Sequence, residues 1–310
     1  MRDEGPNLPA SVLARLRNVA RAMSTDYQLI LRRYAIERLL HRLSRSAHSD
    51  QYILKGAMLF TAWLNDPFRP TQDLDLLGAG DPDIEKVTAD IRDIARTAPD
   101  EADGLIFDAD GLSAAPIREE QSYGGVRVKT VALLARTRIP VQIDIGFGDA
   151  VTPGVQNLEF PSLLSSVGVP LKAYPRETVV AEKLEAIVSL GIANSRMKDF
   201  YDLLALSRLF GFDGQTLVRA ITATFTRRTT AILATAPEGL SATFAADPQK
   251  QRQWEAFVGR ESLLVEPLKL SDTLDTIAEF ALPPLKAAAM RAPFISTWAA
   301  GGPWRSGRCE

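Results

Sequence analysis

The 310-residue chain is short of the features that would tie it to an oxidising compartment, a membrane or a polyanion as a whole. It has one cysteine, Cys309, close to its C-terminal end. A single thiol excludes an internal disulfide and a zinc site built on several cysteines, and such scarcity fits a reducing cytoplasm. No run of 18 apolar residues occurs, so no membrane-spanning helix is expected. The opening MRDEGPNLPA lacks an apolar h-region, so no signal peptide is expected. Neither sign of charge is in excess: 36 Lys and Arg stand against 38 Asp and Glu, for a net charge of −2. That excludes a globally basic nucleic-acid binder and leaves only local patches for such contacts. Internal repeats and low-complexity tracts are absent. What is present is apolar residue, 46% of the chain, enough for one large core or two modest ones.

Hydrophobic spacing organises the chain. Residues 9–46 read as two helices, the first over Ser11 to Met23 with Pro9 in its first turn, the second capped by Thr25 or Asp26. The second carries Arg32, Arg33, Arg38, Arg42 and Arg45 against one acid, Glu37. Its arginines are either a solvated helix face or a phosphate-contacting surface, for which Arg38 and Arg42, one turn apart, are the candidates. Strands are expected at Tyr52 to Leu54, Thr71 to Leu77, Leu105 to Phe107, Gly125 to Leu134 and Val141 to Phe147. Helices are expected at Ala57 to Trp63 and at about 82–97. A loop with Pro67 and Pro70 precedes the second strand, and an acidic loop holds Asp100, Glu101 and Asp103. After about residue 160 the chain reads as helical, with helices at Thr178 to Leu190 and Arg196 to Leu209, each closed by a glycine. The order implies an α+β fold: N-terminal helices over 1–50, a small mixed sheet over 51–160, a helical region over 161–292 and a loose tail over 293–310.

Chemistry concentrates in LKGAMLFTAWLNDPFRPTQDLDLLG, Leu54 to Gly78. Residues two apart on a strand share a face, so Asp73 and Asp75 point one way while Leu74 and Leu76 point into the core. Two like charges so close repel, and a divalent cation relieves the repulsion; Mg²⁺ favours such carboxylates together with substrate phosphates. Alternatively, the pair caps a loop or makes surface salt bridges. In VQIDIGFGD the apolar side chains alternate with Gln142 and Asp144, and Asp144 is a candidate third carboxylate from a neighbouring strand. The turn at Lys55 and Gly56, between strand and helix, offers close backbone approach to a phosphate. Further on, Lys183 lies on a helix with an apolar face, and Asp199 and Asp202 share a face of the next helix, spaced equally well for ordinary ion pairing.

Taken in order, LKGAMLF…RPTQDLDLLG, VQIDIGFGD and VAEKLEAI…SRMKDFYDLLAL resemble the AbiEii/AbiGii toxin family of nucleotidyltransferases, over roughly residues 10–290. That family is similar to the DNA polymerase β-type nucleotidyltransferase superfamily. The resemblance implies transfer of an NMP from an NTP to an acceptor with Mg²⁺ (or Mn²⁺). Asp73 and Asp75 would be metal ligands and Asp144 a third. Lys55, Gly56 and Lys183 would face the phosphates, and Asp199 or Asp202 would orient Lys183 or the acceptor. It further implies a cognate antitoxin and an acceptor such as a tRNA 3′ end. The chain departs from the superfamily's Gly-Ser or Gly-Gly in having Gly56-Ala57; alanine has no hydroxyl, so that role falls to backbone N–H groups or to Thr71. The alternatives are nucleotidyl transfer to a protein hydroxyl and a non-catalytic nucleotide- or antitoxin-binding module.

Overall fold

Asn7, Asp26 and Asp83 each accept a hydrogen bond from a backbone N–H of the turn that follows and so start the first three long helices. These are α1 (Leu8–Ala22), α2 (Tyr27–Arg45) and, further along, α4 (Ile84–Arg96). They belong to a computed structural model that describes residues 7–64, 71, 73–117, 124–259 and 263–307; Cys309 and the loop prolines Pro67 and Pro70 lie outside these. Between α2 and α4 come β1 (Tyr52–Lys55), α3 (Met58–Leu64) and β2 (Asp73–Gly78). After α4 follow β3 (Leu105–Phe107), β4 (Ser113–Ile117), β5 (Gly125–Leu134), β6 (Thr137–Phe147), β7 (Gln156–Phe160) and β8 (Val169–Ala173).

The chain divides into two units, Met1–Gly148 with Gln156–Ala173, and Asp149–Val155 with Tyr174–Glu310. In the first, eight strands form one mixed sheet in the order β3-β5-β6-β2-β1-β8-β7, with β4 also paired to β5. β2 runs parallel to β6 and β1 parallel to β8; the remaining neighbours are antiparallel. This is the expected α+β class with a larger sheet, because β4 pairs onto β5, β7 and β8 extend the other end, and helix resumes only at Arg176. The second unit holds α5 (Arg176–Leu190), α6 (Met197–Leu209), β9 (Phe212–Asp213), α7 (Gly214–Arg227), α8 (Ala242–Ala246), α9 (Pro248–Val258) and α10 (Leu270–Met290). It ends with β10 (Ser296–Trp298) and β11 (Trp304–Ser306). Among the described residues no helix is long and apolar enough to cross a membrane.

Two expectations are corrected. The stretch expected as a loose tail carries β10 and β11, which pair with β9 in a three-stranded sheet, β11-β10-β9. Trp298 is buried, its indole N–H donates to the Ser207 carbonyl, and the Trp304 indole donates to the Phe280 carbonyl. Aromatic burial with a satisfied N–H docks a segment that has no periodicity of its own. Nor do Arg38 and Arg42 form a phosphate-facing stripe. Arg42 places Nη1 and Nη2 2.6 and 3.2 Å from the two oxygens of Asp103, and Arg38 Nε donates to the same carboxylate at 2.9 Å. Glu37, also buried, accepts from Ser162 Oγ at 2.6 Å and from the Leu163 N–H at 2.8 Å. The basic helix and the acidic loop were each other's partners, because a desolvated guanidinium needs a carboxylate at hand.

Burial alone would push the Asp103 carboxyl up, but the bonds and charge of Arg42, then the bond from Arg38, hold it below the usual carboxylate range. Asp103 therefore contributes stability that is full above the unfolded carboxylate pKa of about 3.9 and is lost as pH falls from there through the lower folded value. Asp103→Asn should cost about 3–5 kcal/mol at neutral pH by leaving two arginines short of their counter-charge. It should also make the acid limb shallower. Urea unfolding across pH measures both, and an unchanged neutral midpoint would show the triad to be replaceable.

Candidate active site

The chemistry of the first unit lies on one face of its sheet, and strand register puts it there. Leu54, Leu74, Leu76, Ile143, Ile145, Val126 and Val128 fill the opposite face, each at most 2% exposed. Their alternates line up across four strands. Lys55 on β1 is opposite Asp75 on β2, Asp75 is opposite Asp144 on β6, and Asp144 is opposite Arg127 on β5. Neighbouring strands lie about 4.8 Å apart, so this is a row of cation, two anions and cation at strand spacing. Asp73 stands one step along β2, opposite Gln142. The sequence expectation thus brings Lys55, Asp73, Asp75 and Asp144 together, and the structure adds Arg127.

Arg127 holds Asp144 with both arms of its fork: Nε donates to Oδ1 at 2.8 Å and Nη2 to Oδ2 at 2.6 Å. The bond to Asp144 raises the Arg127 guanidinium above its ordinary value; burial opposes it, and the charges of Asp144, Asp73 and Asp75 add to it. Asp73 and Asp75 suit Mg²⁺, which takes one or two carboxylates and completes its octahedron with water and substrate phosphates. Among the described residues no three His, Cys, Asp or Glu side chains form a metal-holding group. Both oxygens of Asp144, the expected third ligand, accept from Arg127.

Gly56 seals the row from below. It adopts φ +72°, and a Cβ placed on it would overlap Asp75 Oδ2 and come within 2.7 Å of Asp75 Cβ. Only glycine tolerates both the left-handed backbone and that approach. Ala57 is buried and serves packing. Thr71 Oγ1 donates to the Asp73 carbonyl at 3.3 Å, so its hydroxyl braces the start of β2.

The second unit gathers the other candidates. Lys183 on α5 reaches α6, where its Nζ is 2.9 Å from Asp199 Oδ1 and 2.6 Å from Asp202 Oδ2. Arg196 Nε lies 2.9 Å from the other Asp199 oxygen. Burial would raise the Asp199 carboxyl, yet the charges of Lys183 and Arg196 outweigh it and hold the group below the usual range. A second knot went unread in the sequence. Arg228, just past α7, faces Glu185 at 2.8 Å, Glu182 at 3.2 Å and Asp149 at 3.5 Å. The Tyr174 hydroxyl donates to Asp149 at 3.0 Å, and burial pushes its pKa up. No motif announces this set, since its members come from four separate segments.

A strand-face carboxylate pair beside a lysine-glycine turn is the arrangement expected of a nucleotidyltransferase, and that is the class to which the family match assigns the chain. The chain belongs to the family of AbiEii nucleotidyl transferase toxins of type IV toxin–antitoxin systems, whose family model matches residues 38–280. Among solved structures it is similar to JHP933 from Helicobacter pylori, at 14% identity and a TM-score of 0.48 over 86% of this chain and 94% of that one. It is also similar to a protein from H. pylori described provisionally as a nucleotidyltransferase, at 15% identity and a TM-score of 0.47 over 86% and 96%. No curated protein matches the chain.

Two outcomes are expected of this geometry. Gly56→Ala should displace the Asp75 carboxylate and lower transfer by about 100-fold or more, the scale of losing one preorganised charged group. A radiolabel transfer assay reads it, and near-normal turnover would show that the turn tolerates a side chain. Lys183→Ala should cost about 3–5 kcal/mol of stability by removing a counter-charge shared by two buried carboxylates. Lys183→Arg should recover part of that in a thermal melt. A melt unchanged by the alanine would mean that the acids find other partners.

Proposed function

We propose that this chain transfers a nucleoside monophosphate from an NTP to an acceptor hydroxyl in a Mg²⁺-dependent (or Mn²⁺-dependent) reaction. We further propose that it acts in the cytoplasm as the toxin partner of a cognate antitoxin protein. The observation that carries the reading is the row formed by Lys55, Asp75 and Asp144, with Asp73 beside it, on one face of the sheet. The acceptor oxygen forms a bond to the α-phosphorus, the α-phosphorus to bridging-oxygen bond breaks, pyrophosphate leaves, and the hydroxyl proton passes to solvent. Such transfer asks the protein for positioning and charge neutralisation. Asp73 and Asp75 would hold the divalent ion, which when bound neutralises phosphate charge and activates the attacking oxygen. Lys55 adds a cation next to Asp75, and the glycine at 56 lets the chain backbone approach. Lys183 is read as a further phosphate-facing cation, and Asp199 and Asp202 as the residues that fix its position.

A polynucleotide acceptor, such as a tRNA 3′ end, is favoured by exposed cations on the carboxylate face of the sheet: Lys129, two residues along β5 from Arg127, and Arg138, six residues or about 20 Å along β6 from Asp144. They take the place of Arg38 and Arg42, which are consumed by Asp103.

The test incubates the protein with each α-labelled NTP and Mg²⁺ in the presence of total RNA or total protein. Label is expected in RNA, and Asp73→Asn or Asp75→Asn should each reduce it by at least about 100-fold with the fold intact. Label in protein instead would reassign the acceptor, and full transfer by either variant would overturn the metal assignment.

A further inference from the structure

The Asp144–Arg127 pair is poised differently from the Lys183 and Arg228 ion pairs of the second unit. It sits in the same row as Asp75, yet both of its oxygens are spoken for by the fork of one guanidinium. The pair is not deeply buried: the Asp144 side chain is 18% exposed and that of Arg127 41%. Partly solvated pairs of this kind exchange partners at small cost, unlike desolvated ones. Arg127 also lies within the field of Asp73 and Asp75 as well as Asp144, so one guanidinium supplies positive charge to all three carboxylates.

We propose that Arg127 is a positioning residue that competes with the divalent cation for Asp144. Bonded to Asp144, its guanidinium neutralises that carboxylate and lessens repulsion within the row. When a divalent ion settles on Asp73 and Asp75, Asp144 exchanges Arg127 for the ion, and the cost of that exchange sets the ion's affinity. The inference rests on the reading of Asp73 and Asp75 as metal ligands and deepens it.

The experiment titrates Mn²⁺ into the full chain and follows free Mn²⁺ by electron paramagnetic resonance, with no reaction required. Arg127→Gln should bind Mn²⁺ more tightly by about fivefold, the scale of removing one partly exposed ion pair. Arg127→Lys, which keeps the charge and loses the fork, should fall between the two. Asp144→Asn distinguishes competition for one ligand from general repulsion of a cation. In the Asp144→Asn background Arg127→Gln should change the affinity by less than about twofold, because the shared ligand is gone. A gain that persists in that background, or no gain in Arg127→Gln, overturns the proposal. Circular dichroism melts of each variant establish that it is folded. Asp75→Asn serves as the separate control. If the unmodified protein binds no Mn²⁺, or binds it equally well with Asp75→Asn, the metal reading itself fails and this inference with it. Binding lost in Asp75→Asn with no effect of Arg127→Gln sinks the inference alone.

Discussion

The register of β2 between β1 and β6 is the constraint from which the first site follows. Leu74 and Leu76 interleave with Asp73 and Asp75, so a slip of one residue would bury the acids and expose the leucines. Each large apolar side chain withdrawn from water contributes about 1.5–3 kcal/mol, and the apolar face draws on all four strands of the row. The core therefore chooses the register, and the charged row is carried into line by it. Lys55 and Arg127 then flank the two central carboxylates, which leaves a set that repels itself far less than three bare acids would. Gly56 completes the arrangement from beneath, since no side chain fits between that turn and Asp75.

The parts of this design that follow a period were legible in the sequence. Alternation in VQIDIGFGD and DLDLLG gave both strands and the shared face, and the helical spacing of α2, α5 and α6 gave those helices nearly to the residue. What failed to show was pairing at a distance. Arg38 and Arg42 have the spacing of an exposed stripe, and nothing local says that Asp103 will fold against them. Arg127 likewise looks like any polar residue alternating on a strand until β5 lies beside β6. Short strands were invisible for another reason. β7 and β8 have five residues each; β7 is mostly exposed, and the alternation of β8 is brief and interrupted by Pro170. The terminal strands of three residues are held by tryptophans whose partners lie far back in the chain.

In the second unit α5 carries charge on more than one side. Adjacent helical residues point about 100° apart, so Lys183 and its neighbours Glu182 and Glu185 serve different partners. Lys183 ties α5 to α6 through Asp199 and Asp202; Glu182 and Glu185 tie it to Arg228 at the end of α7. Thr230 adds a hydroxyl to Glu185. A helix buried on several sides has few exposed positions for charge, so its acids and its lysine must find partners within the unit.

The two carboxylate sets consequently differ in what they can do. Asp199 and Asp202 are 2% and 0% exposed, and separating them from Lys183 would leave buried charge short of counter-charge. That set is suited to fixing a lysine in one place and unsuited to exchanging ligands during turnover. Asp144 and its row keep contact with solvent, so a guanidinium, a water or a metal can replace one another there at modest cost. Burial separates a fixed ion-pair set from an exchangeable one in this chain, and it does so with the same residue types in each.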